Sequence, residues 1–296
     1  MGLPPSGMQE EKSPQKRKGK RFLLINADDF GYCEERDEGI LECVKKRNGT
    51  MSVSLMVNGK SASSAAESAK ELNISTSLHI NLTEGPPISP PESVPTLVSE
   101  QNTMHGKHEF WQKMAAGQIL LDDIEREVVA QMELFHTLMG YFPKRVDGHQ
   151  HITAIPSIFD VLLKILPRFG VVIVRVARES DLGWEETASK FLQTVSQNSQ
   201  SILNNSSVSF LTPSSSSSSS SSSPLIYTTH HFLGLSTMGA KINTKALSNP
   251  IVTKMDVGQS LEWMVHPGRR SCDYGDDFSR SEEREKEMEV VGGREL

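Results

Sequence analysis

Cysteine is scarce in this chain, which has only Cys33, Cys43 and Cys272 in 296 residues. So few and so widely spaced thiols argue against a disulfide framework and against a thiolate zinc site. Basic charge is not in excess either, because 31 Lys and Arg stand against 37 Asp and Glu and the formal charge is -6. Without a basic field, we do not expect nucleic acid as a partner.

Long apolar runs are also lacking. Even residues 158–176 are interrupted by Asp160, Lys164, Pro167 and Arg168, whereas roughly 20 apolar residues are needed to cross a bilayer. We therefore expect a soluble protein with no membrane partner, and the cysteine usage favours the cytoplasm. Residues 1–20 lack the apolar core of a secretory signal and are predicted to be a disordered basic leader, with a nuclear signal as the alternative interpretation.

From Arg21 onward, short β-branched runs alternate with longer amphipathic ones, a pattern typical of a βαβ chain with a parallel sheet. The pattern predicts helices over 37–46, 121–139 and 158–166. It predicts seven strands, over 22–26, 52–57, 77–82, 145–149, 171–176, near 232–235, and over 261–265. This arrangement favours an α/β fold with a closed or nearly closed, TIM-barrel-like (β/α) barrel, and an open doubly wound sheet is the alternative.

Two segments depart from that pattern. Residues 200–224 are rich in Asn and Ser and include an unbroken serine run over 214–223, so we expect a disordered insertion there. Residues 271–296 are highly charged and predict a solvated tail with little core beyond His266. The predicted organisation is a leader over 1–20, one barrel domain over 21–270 and a tail over 271–296.

Ionisable side chains follow five of the predicted strands. They are Asp28 and Asp29, His79, the Asp147-Gly148-His149-Gln150-His151 segment, Arg175 and His266. Because the carboxyl ends of parallel strands form one face, these residues are expected to converge. Gly31 predicts a sharp turn that points the two aspartates in different directions. The strand period of two predicts Asp147, His149 and His151 on one face of an extended segment.

Two histidines from separate elements with one carboxylate form a metal-binding pattern that leaves positions open for water and substrate, which indicates catalysis. Arg175 needs a carboxylate partner, and Asp28 and Glu179 are the candidates. His266 is either a general acid or a turn residue. Taken singly, the aspartates also fit turns and Arg175 fits a structural ion pair.

These segments resemble the YdjC family of carbohydrate deacetylases, including its vertebrate members. The similar segments span Arg21 to Gly268 and comprise 27–32, 52–58, 78–85, 147–151, 175–179, 232–236 and 265–268. The resemblance implies a distorted (β/α) barrel. It also implies a divalent-metal hydrolase that removes acetyl groups from the amino sugars of small chitooligosaccharides.

Position by position, the resemblance implies roles for six residues: Asp28 is the proton acceptor, Asp29, His79 and His149 bind the metal, and Arg175 and His266 line the site. His149 is preferred to His151, which is expected behind the ligands. The implied ion is Mg²⁺, whereas two imidazole ligands favour Zn²⁺, Co²⁺ or Mn²⁺. Such an ion would activate water, and His266 is then the candidate acid for the leaving amine.

The nearest aromatic residues for stacking a sugar ring are Phe30, Tyr32, Phe110, Trp111 and Trp263, although Trp111 is more commonly interpreted as a helix packing residue. Two alternative functions stay open. One is a catalytically idle barrel that binds a carbohydrate or a partner because the charged tail leaves it incomplete. The other is a different metal hydrolase, such as a phosphoesterase.

Overall fold

A computed structural model describes residues 20–179, 188–205, 207–212, 226–243, 245, 248, 250–270 and 277–293. The predicted leader therefore lies outside the described residues except for Lys20, as does the serine run. The described part contains nine strands: β1 (Phe22–Phe30), β2 (Met51–Leu55), β3 (Thr76–Ile80), β4 (Arg145–Gly148), β5 (Ile173–Val174), β6 (Val208–Phe210), β7 (Ile226–Thr228), β8 (His231–Leu233) and β9 (Ser260–Val265).

The strands form one sheet in the order β6-β7-β5-β4-β3-β2-β1-β9-β8, and every paired neighbour runs parallel. Among the described residues, the edge strands β6 and β8 do not pair, so the sheet is a curled half-barrel. This confirms the predicted barrel-like α/β class. Within the described ranges, nine α-helices accompany it: α1 (Glu34–Lys46), α2 (Ala62–Glu71), α3 (Lys107–Ala115), α4 (Leu121–Met139), α5 (Pro156–Ile165), α6 (Lys190–Leu203), α7 (Pro250–Lys254), α8 (Asp277–Arg280) and α9 (Glu283–Gly292).

All seven predicted strands are present, and α4 has the predicted bounds. The disordered insertion predicted for 200–224 is wrong over 200–203 and 208–210, because α6 continues to Leu203 and β6 covers 208–210, while residues 213–224 lie outside the described residues. The low apolar content concealed a helix whose Val195 and Ile202 lie on one buried face. A three-residue edge strand is likewise too short to produce a periodic signal.

The solvated tail predicted for 271–296 is wrong over 277–293. Within α9, the side chains of Arg284, Glu287 and Val291 are buried, and the helix packs against α1. The charge pattern misled the prediction because Arg284 and Glu287 are charged but face polar partners inside the protein. Because α9 is packed against the domain, a solvated tail no longer supports the alternative of an idle barrel.

The register of the sheet brings the predicted polar residues together. His79 on β3 is the direct partner of Asp147 on β4. Ala27 on β1 pairs with Val265 on β9, so Asp28 and His266 follow at the same level. None of the helices in the described ranges is long and apolar enough to cross a bilayer.

Candidate metal centre

The two adjacent aspartates diverge because of a distortion within β1. The register of β1 against β2 shifts between Ala27 and Phe30, and Asp29 adopts a left-handed backbone with φ 65°. Such a bulge re-aims side chains at the end of a strand. The prediction that Gly31 separates the two carboxylates is therefore wrong: Asp29 makes the change of direction, and Gly31 (φ 87°) makes the turn that follows.

Asp28 is clamped by Arg175. Nη1 and Nη2 of Arg175 donate to the two carboxylate oxygens at 2.5 and 2.7 Å, and Asn26 Nδ2 donates to Oδ1 at 2.8 Å. Burial would raise the pKa of Asp28, but the Arg175 guanidinium outweighs it and holds the pKa well below the usual range. Asp28 is therefore an oriented, ionised carboxylate. Of the two partners predicted for Arg175, the structure selects Asp28.

Asp29, His79 and His149 form a compact group that can hold a metal ion. Their ligand atoms lie within 4.8 Å of one another, and all three residues are buried. Asp29 Oδ1 is 3.2 Å from His79 Nε2 and 2.9 Å from His149 Nδ1. The structure therefore brings together the three residues that the resemblance implies as ligands.

The other nitrogen of His79 contacts Asp147. Its Nδ1 lies 2.5 Å from Asp147 Oδ1, while Arg145 Nη2 donates to Asp147 Oδ2 at 2.6 Å. A carboxylate on the remote nitrogen fixes the ring orientation and tautomer of a metal-binding histidine. Asp147 thus supports His79 and leaves Nε2 facing Asp29. Asp28, His79 and Asp147 form a second group that could hold a metal. Its two carboxylates already accept hydrogen bonds from arginines, Asp28 from Arg175 and Asp147 from Arg145.

The second oxygen of Asp29 is held by two arginines. Arg36 Nη1 and Arg284 Nη2 each donate to Oδ2 at 2.9 Å, and all three side chains are nearly inaccessible. Burial would raise the pKa of Asp29, but His149 and Arg284 lower it well below the usual value. The arginines leave Oδ1 as the oxygen directed at the histidines.

His149 lies between two carboxylates. Burial would lower its pKa, yet Asp29 on one side and Glu84 on the other raise the pKa to about 10. The ring is therefore protonated at neutral pH, and an ion that binds there must displace a proton.

The predicted extended segment from Asp147 to His151 is wrong. β4 ends at Gly148, and a 3-10 turn follows in which Gln150 and His151 have left-handed φ values of 51° and 62°. This turn directs His149 to Asp29, whereas His151 packs 6.3 Å from the Phe191 ring. Burial and Arg175 lower the pKa of His151 to about 3. His151 is not among the residues whose ligand atoms converge, which are Asp29, His79 and His149.

His266 follows β9 and lies beside Asp28, with 3.9 Å between Nε2 and Asp28 Oδ2. Its backbone N–H donates to Glu287 of α9, and its ring makes an edge contact with Phe278. Burial, assisted by Arg284, lowers the pKa of His266 to about 3. The imidazole is therefore neutral at pH 7 and must receive a proton before it can act as an acid.

Sequence reasoning missed several charged residues of this centre. Glu262 accepts hydrogen bonds from Arg175 Nε at 2.6 Å and from Arg145 Nη1 at 2.7 Å, and so joins the two arginines. It is the second residue of the predicted strand 261–265, and a charge within an otherwise apolar strand was a usable signal. Arg36 on α1 and Arg284 on α9 gave no such signal, because charged residues are ordinary on surface helices.

A cavity of about 350 Å³ is lined by six residues of this centre, namely Asp28, Asp29, His79, His149, His266 and Arg284, whereas Arg175 and Glu262 lie behind them. Its aromatic lining residues are Phe191 and Phe278. The predicted stacking residues are not among them, because the cavity leaves out Trp111 and the protein buries Phe30, Tyr32, Phe110 and Trp263. Phe191 instead packs edge-on to Trp111, with ring centroids 5.0 Å apart.

Comparison with known proteins bears on this centre. A family model described as YdjC-like protein matches residues 22–296, a range that includes α9. The carbohydrate deacetylase of Mus musculus is 35% identical over 286 residues, which cover 91% of this chain and 87% of the mouse protein. The chitooligosaccharide deacetylase of Enterobacter sp. (strain 638) is 35% identical over 172 residues, 57% of this chain and 65% of that protein.

A solved structure has a similar backbone. A crystal structure of an Enterococcus faecalis V583 protein named for cellobiose-phosphate cleavage matches with a TM-score of 0.66 and 22% identity. The match covers 94% of this chain and 92% of the bacterial one. This likeness shows a shared fold.

Proposed function

Because this chain belongs to the YdjC-like family, we propose that it hydrolyses the acetamide of N-acetylated amino sugars, with small chitooligosaccharides as the substrate class. The observation that carries the proposal is the division of roles between two neighbouring carboxylates. Asp28 is held by Arg175, and Asp29 faces two histidines across the same cavity. The relatives named as carbohydrate and chitooligosaccharide deacetylases supply the substrate class.

Asp29, His79 and His149 fit a divalent cation, because one carboxylate and two imidazoles converge and each ligand is oriented by a further polar partner. Two imidazoles favour Zn²⁺, Co²⁺ or Mn²⁺ over Mg²⁺, which prefers oxygen ligands. A bound cation supplies Lewis acidity, which polarises an acetamide carbonyl and lowers the pKa of water.

The protein's own residues handle the proton. Asp28 is ionised and lines the cavity, so it takes a proton from the water that attacks the acetyl carbonyl. Breaking the C–N bond requires a proton on the leaving nitrogen. His266 is neutral and its Nε2 lies 3.9 Å from Asp28 Oδ2. It can therefore accept the proton that Asp28 took from water and donate it to the leaving nitrogen. Acetate and a free amino sugar leave in equal amounts.

The proposal is tested by incubating the purified full-length chain, loaded with Zn²⁺, Co²⁺, Mn²⁺ or Mg²⁺, with diacetylchitobiose. Acetate and primary amine are measured together, and the metal content of the protein is measured before and after chelation. We expect equimolar products that disappear on chelation and return with one of the first three ions. Failure of every metal-loaded form to release acetate from this or a longer chitooligosaccharide contradicts the proposal.

A further inference from the structure

We propose that Glu84 is a positioning residue for the metal centre: it holds the His149 ring so that Nδ1 faces Asp29. This inference rests on the metal site of the proposed function. Glu84 Oε2 lies 3.2 Å from His149 Nε2, while Asp29 Oδ1 lies 2.9 Å from Nδ1 of the same ring. The two carboxylates therefore meet opposite nitrogens, and the ring has one orientation that satisfies both.

The arrangement repeats what surrounds the other histidine. His79 directs Nε2 at Asp29 and places Nδ1 on Asp147; His149 directs Nδ1 at Asp29 and places Nε2 on Glu84. A metal-binding histidine ordinarily gives its remote N–H to a carboxylate or carbonyl, which fixes the tautomer and raises the basicity of the ligand nitrogen. Each of the two histidines thus has its own carboxylate.

The carboxylate of Glu84 is itself fixed. Tyr32 Oη donates to Oε2 at 3.0 Å, and Gln150 Nε2 donates to Oε1 at 2.9 Å. Tyr32 is buried, and its ring centroid lies 6.2 Å from that of His149. Gln150 reaches Glu84 from the left-handed turn after β4. Both oxygens of Glu84 therefore have partners besides His149, so the side chain has little freedom to turn.

The backbone of Glu84 is held as firmly as its side chain. The buried side chain of Asn81 accepts a hydrogen bond from Glu84 N–H at 3.0 Å and donates to its carbonyl at 2.7 Å. Asn81 is in turn bound on both backbone groups by Gln131 of α4, at 3.0 and 2.6 Å. A loop fixed through one buried amide is typical of a residue that must be placed accurately.

Glu84 lies outside both the group of metal-binding residues and the lining of the cavity, so it is placed neither as a metal ligand nor as a base that contacts the substrate. The described residues that line the cavity include His149 and Gln150 but not Glu84. Its contact is with the nitrogen that points away from Asp29 and the metal group. Glu84 therefore acts on the centre through His149.

The test measures the dissociation constants of Zn²⁺ and Co²⁺ by chelator competition, using full-length wild type and the variants Glu84→Gln, Glu84→Asp and Tyr32→Phe. Glu84→Gln keeps the shape and removes the charge, whereas Glu84→Asp keeps the charge and shortens the reach. We expect each Glu84 variant to bind metal about 10- to 100-fold more weakly. Tyr32→Phe removes one hydrogen bond and should weaken binding by about 3- to 10-fold. The visible spectrum of the Co²⁺ form should change in both Glu84 variants.

Glu92→Gln is the matched control, because Glu92 is an exposed carboxylate on the 3-10 helix Pro91–Ser93 of the same connection. It should bind metal as wild type does. Wild-type affinity in both Glu84 variants overturns the inference, and so does a loss of turnover with unchanged affinity, since Glu84 would then act on the substrate. If circular dichroism shows that the Glu84 variants do not fold, unchanged affinity in Tyr32→Phe is the overturning result.

Failure of the proposed function gives a different outcome. A wild-type protein that binds neither ion refutes the metal site, and this inference with it. A wild-type protein that binds metal but releases no acetate refutes the deacetylase proposal alone, and the affinity series still decides the role of Glu84.

Discussion

Arg284 Nη2 donates a hydrogen bond to Asp29 Oδ2 at 2.9 Å, although 255 residues separate the two in the chain. The guanidinium also stacks on the Phe278 ring, with 4.0 Å from Cζ to the centroid. Arg284 of the last helix thus helps to orient the carboxylate of Asp29, near the end of β1. The C-terminal segment is therefore part of the centre.

Replacing Arg284 by Met should lower the free energy of unfolding by about 3 kcal/mol, because the buried Asp29 carboxylate then loses one of its two arginine partners and keeps only Arg36. Urea unfolding at neutral pH measures the change. Arg168→Met is the control: its partner Glu125 is exposed, and the expected change is within about 0.5 kcal/mol. Equal losses in the two variants would show that Arg284 has no special place in the centre.

Changing Asp28 to Asn and changing Asp29 to Asn should cause different defects, the first in deacetylation and the second in metal binding. Asp28→Asn should keep its metal but lose deacetylation by about a hundredfold or more, the scale of a positioned general base. Asp29→Asn should weaken metal binding itself, because it removes the only carboxylate of the ligand group. Metal content and acetate release separate the two defects, and loss of metal in Asp28→Asn alone would reverse the assignment.

Phe191→Ala should raise KM for diacetylchitobiose by roughly tenfold, equivalent to about 1.4 kcal/mol, with a smaller effect on kcat. Phe191 forms part of the apolar cavity wall. Its ring has no polar group that could take part in proton transfer, so its loss should affect substrate binding more than the chemical step. Phe22→Ala, at an exposed residue at the start of β1, is the control and should leave KM unchanged. A fall in kcat with unchanged KM would contradict a role of Phe191 in holding the substrate.

Asp37 should contribute a loss of stability as pH rises from 5 to 8. Burial raises the pKa of Asp37 from 3.8 to about 7, although Ser61 and the Gly31 N–H donate to it. A raised acid pKa means that the folded state holds a proton the unfolded state has lost, so this stabilisation disappears as pH passes through about 7.

The Asp37→Asn variant has no carboxyl group at this position, so it lacks this pH-dependent contribution to stability. Wild type should lose about 2 to 3 kcal/mol more than Asp37→Asn between pH 5 and pH 8, from the difference between the two pKa values. The measurement is urea unfolding at both pH values. Parallel pH profiles for the two proteins would show that Asp37 is ionised in the folded state.

The sequence by itself determined the fold class and most of the centre. Short apolar runs that each end in an ionisable residue predict a parallel sheet with one polar edge, and His79, His149 and Asp29 do meet there. This inference succeeded because strand ends converge whatever the connections between them. The YdjC resemblance added the roles of those residues, and the metal identity and catalytic assignments remain predictions.

Only the tertiary structure decided which charges are buried and what each one faces. Arg284 and Glu287 lie in a segment with the composition of a solvated tail, and Glu84 lies in a loop without periodic pattern. A sequence records the identity of a charged residue, but the free energy of burying it depends on partners contributed by distant elements. The place of Arg284 beside Asp29, and of Glu84 behind His149, exists only once the strands and α9 are packed together.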